Sequence, residues 1–203
     1  MSILQTVRTT TRSKHDLMEK LIGSDRLDKF SIDDYKLLLS TNYIFHSHLE
    51  DKARDLLSDY QQKNPIQATK LNFKERVKAI SLEHELKNIL AAENFEALKR
   101  IPNTVSFLDY YSLLGRLYVA EGSMLGGKMM HKILLQNPQI NKSTTFDFFK
   151  NYESKTPRLW KSFKELVEEE CQTETEKKQF LEGAEKSYLY FEKSFHKAKN
   201  ILG

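Results

Sequence analysis

Apolar residues recur at intervals of three and four positions along most of the chain, which is the spacing of one face of an α-helix. We find no convincing run of the alternation of apolar and polar residues that is typical of a half-buried strand. Each of the 4 prolines falls at a boundary of a periodic segment and none lies in its interior. Because proline inside a helix costs about 3 kcal/mol or more, this arrangement leaves every periodic segment free to be helical. We therefore predict an all-α fold, a bundle of helices.

The predicted helices include several long ones. One begins at Ser31, where Asp34 three residues later completes a capping-box pattern. The central one ends at the Asn137-Pro138 pair. The predicted ranges are 3–22, 31–62, 72–91, 106–136, 144–153, 157–172 and 174–201. We see no repeat, low-complexity tract or linker, so residues 1–203 are predicted to form a single domain.

Composition excludes several classes of protein. The net charge of +4 is small and its basic residues are dispersed, which argues against nucleic-acid binding. No window approaches the roughly 20 apolar residues of a membrane span, and the first residues lack the apolar core of a signal peptide. The single cysteine, Cys171, excludes an intramolecular disulfide and indicates a reducing compartment. We expect a cytoplasmic protein without a membrane or nucleic-acid partner.

Residues 117–130 contain three of the 7 glycines, Gly122, Gly126 and Gly127, within a long apolar segment. Each glycine in a helix costs about 1 kcal/mol relative to alanine. Such a cluster indicates that the backbone kinks, that a flat ligand lies directly against it, or that a second helix packs closely. The segment alone does not distinguish these alternatives.

His15 lies on the apolar face of the first predicted helix, with Thr11 and Glu19 one turn to either side. A neutral imidazole can bind iron through one nitrogen while a carboxylate at i+4 accepts a hydrogen bond from the other. Arg8 and Arg12 lie on an adjoining stripe of the same helix. On this helix alone, a half-buried histidine hydrogen-bonded to a neighbour is the better explanation of the pattern.

A di-iron centre is the other metal site typical of helical bundles, and it needs paired Glu-x-x-His motifs. No histidine of this chain has glutamate three residues before it. Nucleotide-binding loops and the serine-hydrolase elbow are also absent. The remaining aromatic candidates are Tyr118, on the apolar stripe of the central helix, and residues 160–164, where two lysines adjoin Trp160 and Phe163. Such a segment could supply apolar walls and cations to a flat ligand carrying carboxylates.

Two segments together resemble the haem oxygenase family. Residues 4–19 carry a Thr-x-x-x-His-x-x-x-Glu pattern at Thr11, His15 and Glu19, similar to the first helix of that family. Residues 117–127 read LYVAEGSMLGG and resemble its distal helix, with the wording closest to the bacterial branch associated with bacteriophytochromes. Residues 76–86 fit the intervening helix more loosely. The resemblance implies that haem lies between the first helix and a kinked central helix.

Carried over to this chain, the resemblance makes His15 the iron ligand and Glu19 its hydrogen-bond partner. Gly122, Gly126 and Gly127 become the backbone over the other face of the haem. Ser123 stands where better-known animal members have an aspartate that organises the proton-delivering water. The haem edge and its propionates are assigned to the remaining candidates, namely Arg8, Arg12, Tyr118, Lys161, Lys164 and Tyr188.

The function that this resemblance implies is oxidative cleavage of haem to biliverdin, carbon monoxide and ferrous iron. Haem would be both substrate and cofactor, O₂ the oxidant, and a reductase or ferredoxin the electron donor. A bilin acceptor such as a phytochrome is a further expected partner. Two alternatives remain at this point: a haem carrier or sensor without enzymatic activity on the same fold, and an unrelated helical interaction protein that binds no haem.

Overall fold

The structure, a computed structural model, describes residues 1–107 and 109–203, and the side chains of all of these except 151–153. Within this part of the chain the regular elements are α-helices and two short 3₁₀ segments, without a strand. The α-helices are α1 Ile3–Thr10, α2 Arg12–Ile22, α3 Ile32–Lys63, α4 Pro65–Leu71, α5 Ala79–Ile89, α6 Ala92–Lys99, α7 Tyr110–Gln136, α8 Asp147–Glu153, α9 Thr156–Glu170 and α10 Glu174–Leu202. The 3₁₀ segments are Ser24–Lys29 and Phe73–Arg76. The all-α prediction is confirmed.

α7 is the centre of the bundle and packs most extensively against α10, with α9, α8 and α3 around it. The α7–α10 crossing depends on two glycines that sequence analysis did not single out. A Cβ atom on Gly115 would lie 1.9 Å from the Phe180 carbonyl oxygen, and one on Gly183 would lie 2.2 Å from that of Ser112. Only glycine therefore allows the two backbones to approach this closely.

Several predicted helix boundaries differ from those observed. The predicted helix 3–22 is divided at Thr11, whose backbone departs from helical values at φ −99° and ψ 4°. The buried Thr11 hydroxyl donates to the Val7 carbonyl at 2.6 Å. Hydrogen bonding of this kind to a carbonyl four residues earlier often bends helices. The break separates α1 from the helix that carries His15.

The predicted helix 72–91 is wrong in its first part. Asn72 adopts a left-handed conformation with φ 46°, and a 3₁₀ turn follows it before α5 begins at Ala79. α4, α6 and the 3₁₀ segment Ser24–Lys29 were not predicted, because each is too short to show periodicity. α7 begins at Tyr110 after an Asp109 cap and not at about 106; within that interval Leu108 lies outside the described residues.

The glycines of the central segment do not break α7. The helix is continuous from Tyr110 to Gln136. Neither Gly122, Gly126 nor Gly127 has a positive φ. The kink that was expected here therefore does not take the form of an interruption of the helix. In the described part of the chain, no helix is long and apolar enough to cross a membrane.

Candidate functional site

A cleft separates α1 and α2 from α7, with α9 and α10 at its sides. It consists of two adjoining cavities of about 700 Å³ and about 260 Å³, which compare with the roughly 300–1,000 Å³ of small-molecule sites. The residues that line both cavities are His15, Met18, Glu19, Gly122 and Ser123. The histidine and the glycine segment, distant in sequence, therefore border the same space.

The two cavities differ in chemistry, and we call them the basic cavity and the apolar cavity. The basic cavity is the larger one and is bordered by three cationic side chains, Arg8, Arg12 and Lys164. The apolar cavity is walled mainly by side chains of α2, α3, α7, α8 and α10, among them Ile22, Leu38, Met124, Met130, Ile133, Phe148, Phe149 and Phe191. A ligand that filled both would have an apolar body and an anionic end.

His15 lies on α2 with its side chain 44% exposed. Its Nδ1 atom is 3.9 Å from a carboxylate oxygen of Glu19 and 3.7 Å from one of Asp16. Glu19 thus lies near His15, but the distance is well beyond that of a hydrogen bond, so the expected hydrogen bond is not formed in this geometry. With Nδ1 on the carboxylate side, Nε2 is the nitrogen available to an iron atom in the cleft. Among the described residues, His15, Asp16 and Glu19 form the group of candidate metal ligands, with the ligand atoms all within 4.8 Å.

Tyr188 on α10 borders the basic cavity next to His15, with the two ring centroids 6.4 Å apart in an edge-on arrangement. Burial raises the pKa of Tyr188 to about 12, and a hydrogen bond with Thr11 opposes this increase. Tyr118 on α7 lines the same cavity. Burial raises the pKa of Tyr118, and the charge of Arg8 opposes the increase. Both phenols therefore remain neutral at physiological pH.

None of the three glycines of residues 122–127 packs tightly against another helix, and Gly126 faces open space. A Cβ atom on Gly126 would meet nothing within 4 Å. One on Gly122 would meet only the Trp160 ring, at 3.7 Å, and one on Gly127 would lie 3.7 Å from both Met124 and Phe149. Close helix packing, one of the alternatives left open by the sequence, thus belongs to Gly115 and Gly183 and not to this segment. The bare backbone leaves room for a flat ligand, and in this respect the cleft fits haem.

Ser123 lines both cavities, and its hydroxyl donates to the Ala120 carbonyl of its own helix at 2.9 Å. A serine hydroxyl has one donor and two acceptor lone pairs. In this geometry its lone pairs remain available to accept hydrogen bonds from groups in the cleft.

The basic candidates differ in position. Arg12 pairs with Asp16 at 3.1 Å, with both side chains substantially exposed. Lys164 borders the basic cavity and lies 6.0 Å from the centre of the Trp160 ring. Lys161 is 75% exposed, lies 3.9 Å from Glu165, and is not among the residues that line either cavity. Arg8, Arg12 and Lys164 are therefore brought together at the cleft, and Lys161 is not.

Sequence analysis missed a buried charge cluster behind the glycine segment. Glu121, which directly precedes Gly122, accepts from Arg76 and from Lys78, at 2.6 Å in each case. All three side chains are at most 4% exposed. A signal was present: Glu121 is an acidic residue within the largely apolar stretch 117–125, and such a residue needs a partner when it is buried.

The comparisons with known proteins agree with this geometry. The family model described as "Heme oxygenase" matches residues 1–197. The search of curated protein sequences gave no match. Among solved structures, the haem oxygenase of Leptospira interrogans superposes with a TM-score of 0.69 at 14% identity, covering 96% of this chain and 98% of that one.

Two other solved structures have the same fold. The NO- and CO-bound haem oxygenase of Neisseria meningitidis gives a TM-score of 0.69 at 15% identity, covering 98% of this chain and 93% of that one. The haem complex of haem oxygenase-1 from the cyanobacterium Synechocystis gives a TM-score of 0.66 at 14% identity, covering 100% of this chain and 94% of that one.

Fold and cleft define an all-α protein with a cleft bordered by a histidine on one helix and a glycine-rich segment on another. The chain belongs to the haem oxygenase family, as the match over nearly its whole length establishes. It is accordingly a haem-degrading oxidoreductase.

Proposed function

We propose that haem binds in this cleft with His15 as the only protein ligand to its iron. The observation that carries the proposal is that His15 and the bare backbone of Gly122 border the same cavities from opposite helices. Haem is a flat apolar ring with two carboxylates at one edge. The apolar cavity suits the ring, and the cations of the basic cavity suit the carboxylates.

Arg8, Arg12 and Lys164 are the residues that we propose to hold the propionates. Arginine forms paired hydrogen bonds with a carboxylate, and lysine supplies a compact charge. Arg12 would exchange its exposed partner Asp16 for a propionate at little cost, because exposed ion pairs contribute about 0–1 kcal/mol. The exposed position of Lys161, beside Glu165, favours the other three for this role.

When bound, haem supplies both the iron that activates O₂ and the ring that is cleaved, and we propose biliverdin, carbon monoxide and ferrous iron as the products. The protein contributes position and exclusion. The side-chain-free backbone at Gly126 leaves space on the face opposite His15. Ser123 is proposed to hold water by accepting hydrogen bonds, in the position where an acid would otherwise organise proton delivery.

We further propose that electrons come from a reductase or ferredoxin and that a bilin-binding protein such as a phytochrome receives the product. A cytoplasmic location is proposed from the single cysteine, Cys171, which is buried and unpaired.

Haem titration of the purified protein, followed by turnover with ascorbate or with ferredoxin and its reductase, tests the proposal. We expect a Soret band that saturates at one haem per chain, followed by its loss and the appearance of bilin absorbance. A stable haem complex that forms no bilin under reductant would instead support a carrier or sensor. A protein without a Soret band after titration would contradict haem binding altogether.

A further inference from the structure

Outside the cleft, the buried guanidinium of Arg76 ties three parts of the chain together. Its Nη1 atom donates to Glu121 on α7 at 2.6 Å and to the carbonyl of Leu159 on α9 at 3.1 Å. Its Nη2 atom donates to the Ser162 hydroxyl on α9 at 3.1 Å, and its Nε atom to the Leu71 carbonyl at 2.7 Å. One side chain thus connects the end of α4 with α7 and α9.

The two helices that Arg76 connects meet at the cleft. Glu121 is followed directly by Gly122, and Trp160 lies between the two α9 residues that accept from Arg76. The Trp160 ring lies over Gly122, so that a Cβ atom there would be 3.7 Å from Cη2 and 3.9 Å from Cζ3. Its centroid is 5.5 Å from that of Tyr118, and both aromatic rings border the basic cavity.

A buried guanidinium gives this connection a fixed geometry. Arg76 is 2% exposed, so a partner that it loses is not replaced by bulk water. Its planar fork has donors in set directions, whereas a lysine ammonium can reorient about a flexible stem. A side chain with this geometry can set the spacing of α7 and α9 at Gly122 and Trp160.

We propose that Arg76 is a positioning residue of the cleft. By holding α9 to α7, it seats Trp160 over Gly122, and Trp160 then limits where the edge of bound haem can lie. The position of that edge decides which bridging carbon of the ring is presented to the reaction. This inference rests on the proposed function only in its last step.

The first test uses the protein without haem. Trp160 is the single tryptophan of the chain, so fluorescence excited at the red edge of the absorption band, where tyrosine does not absorb, reports its surroundings alone. Arg76→Lys keeps the charge and loses the fork. We expect its emission to shift to the red and acrylamide to quench it faster than it quenches the wild type. Arg158→Met is the matched control, because Arg158 also joins α9 to the 73–76 segment through Glu75, but at a position 61% exposed. It should behave as the wild type.

The second test compares the bilin isomers formed after haem turnover, separated by chromatography. We expect Arg76→Lys to change the isomer proportions, and Trp160→Leu, which leaves the charge cluster intact, to change them too. Arg158→Met should give the wild-type proportions. Should Arg76→Lys fail to fold, Trp160→Leu still decides whether Trp160 limits the position of the haem edge, and unchanged isomer proportions in that variant would overturn the inference.

Unchanged quenching and unchanged isomers in Arg76→Lys would overturn the inference. So would changed isomers in Arg158→Met, because any loosening of α9 would then suffice. A wild-type protein that forms no bilin would contradict the proposed function instead, and the quenching experiment would still show whether Arg76 seats Trp160.

Discussion

At the scale of single residues, the two sides of the cleft differ in their side chains. His15 supplies a nitrogen, and its Nδ1 atom lies within 4 Å of two carboxylates that can fix its tautomer. On the opposite side, the glycines of α7 present backbone without side chains. The site can therefore be tested by removing the side chain of His15 and by adding one at Gly126.

His15→Ala should lose the spectrum of an axial histidine and most of its turnover, because the proposed iron ligand is removed. Imidazole added to the solution should restore part of both by occupying the space left by the side chain. Visible absorbance and the rate of bilin formation measure this. The control is His84→Ala, since His84 pairs with Asp147 and does not line the cleft. If His15→Ala kept the wild-type spectrum and rate, the ligand assignment would be wrong.

Gly126→Leu should weaken haem binding, because its side chain would occupy the space over the bare backbone. The helix itself should tolerate the change, since leucine favours helix and nothing lies within 4 Å of the new Cβ atom. Haem titration measures the affinity, and circular dichroism checks the helical content. Unaltered haem affinity and O₂ reactivity would assign this glycine a role outside the site.

At the scale of the helices, glycine has two separate uses in α7. Gly115 allows α10 to approach, and the segment from Gly122 to Gly127 leaves the cleft open. Replacing glycine by alanine is therefore expected to lower stability at Gly115 and to raise it at Gly126.

Gly115→Ala should destabilise the protein by about 1–3 kcal/mol or more, because the new Cβ atom would lie 1.9 Å from the Phe180 carbonyl oxygen and force the helices apart. Gly126→Ala is the matched control and should stabilise the haem-free protein by up to about 1 kcal/mol through helix propensity. Denaturant unfolding measures both. Equal effects of the two changes would show that the α7–α10 crossing adapts to a methyl group.

Basic residues of α2 and α9 should act together on the ligand. Arg12→Ala combined with Lys164→Ala should weaken haem binding, since each charge-assisted hydrogen bond that is lost contributes about 1.5–3 kcal/mol. Lys161 lies on the same helix as Lys164 but does not line the cleft, so Lys161→Ala should bind haem as the wild type does. If a haem titration showed weaker binding for Lys161→Ala than for the Arg12/Lys164 double variant, Lys161 would be assigned to the propionates instead.

At the scale of the whole molecule, the bundle buries charge between its helices. Glu50 on α3 is 2% exposed and accepts from the backbone N–H groups of Lys78 at 2.5 Å and Ala79 at 3.1 Å. Burial raises the pKa of Glu50 from 4.5 to about 7, against the opposing effect of these hydrogen bonds and of the Lys78 charge.

This shift makes stability depend on pH. The folded protein holds a proton on Glu50 that the unfolded chain releases, so this contribution is complete below about pH 4.5 and is lost as pH rises through about 7. Glu50→Gln cannot titrate. Its free energy of unfolding, relative to the wild type, should rise by roughly 3 kcal/mol between pH 4 and 8, given about 1.4 kcal/mol for each pH unit between 4.5 and about 7. A pH-independent difference between the two proteins would contradict this assignment.

The effect of Glu50 must be measured as a difference between variant and wild type, because His46 makes stability depend on pH in the opposite direction. It is fully buried, and this burial, with the charge of Lys78, holds its pKa well below 6.5. Its contribution is present above about pH 6.5 and is lost as pH falls. A pH profile of the wild type alone would therefore mix the two effects.

The sequence by itself determined the fold class and the two halves of the site. Helical periodicity is a local property, and residues 3–4 apart share a face whatever surrounds them. The long helices α3, α7, α9 and α10 were predicted for this reason. Local patterns drew attention to His15 and the glycine cluster, and the resemblance to a known family joined them into one proposed site. The division at Thr11 and the short α4 and α6 were missed because a hydrogen bond or a neighbouring helix decides them.

Only the tertiary structure decided what the glycines do and which cations reach the cleft. Glycine has no side chain from which the sequence could show a partner, so the distances from Gly115 to Phe180 and around Gly126 were needed to separate packing from open space. Lys161 and Lys164 are three residues apart and equivalent by composition, yet only Lys164 borders the cleft. The partners of Glu121, at residues 76 and 78, lie far away in sequence, and only the folded chain brings their charges together.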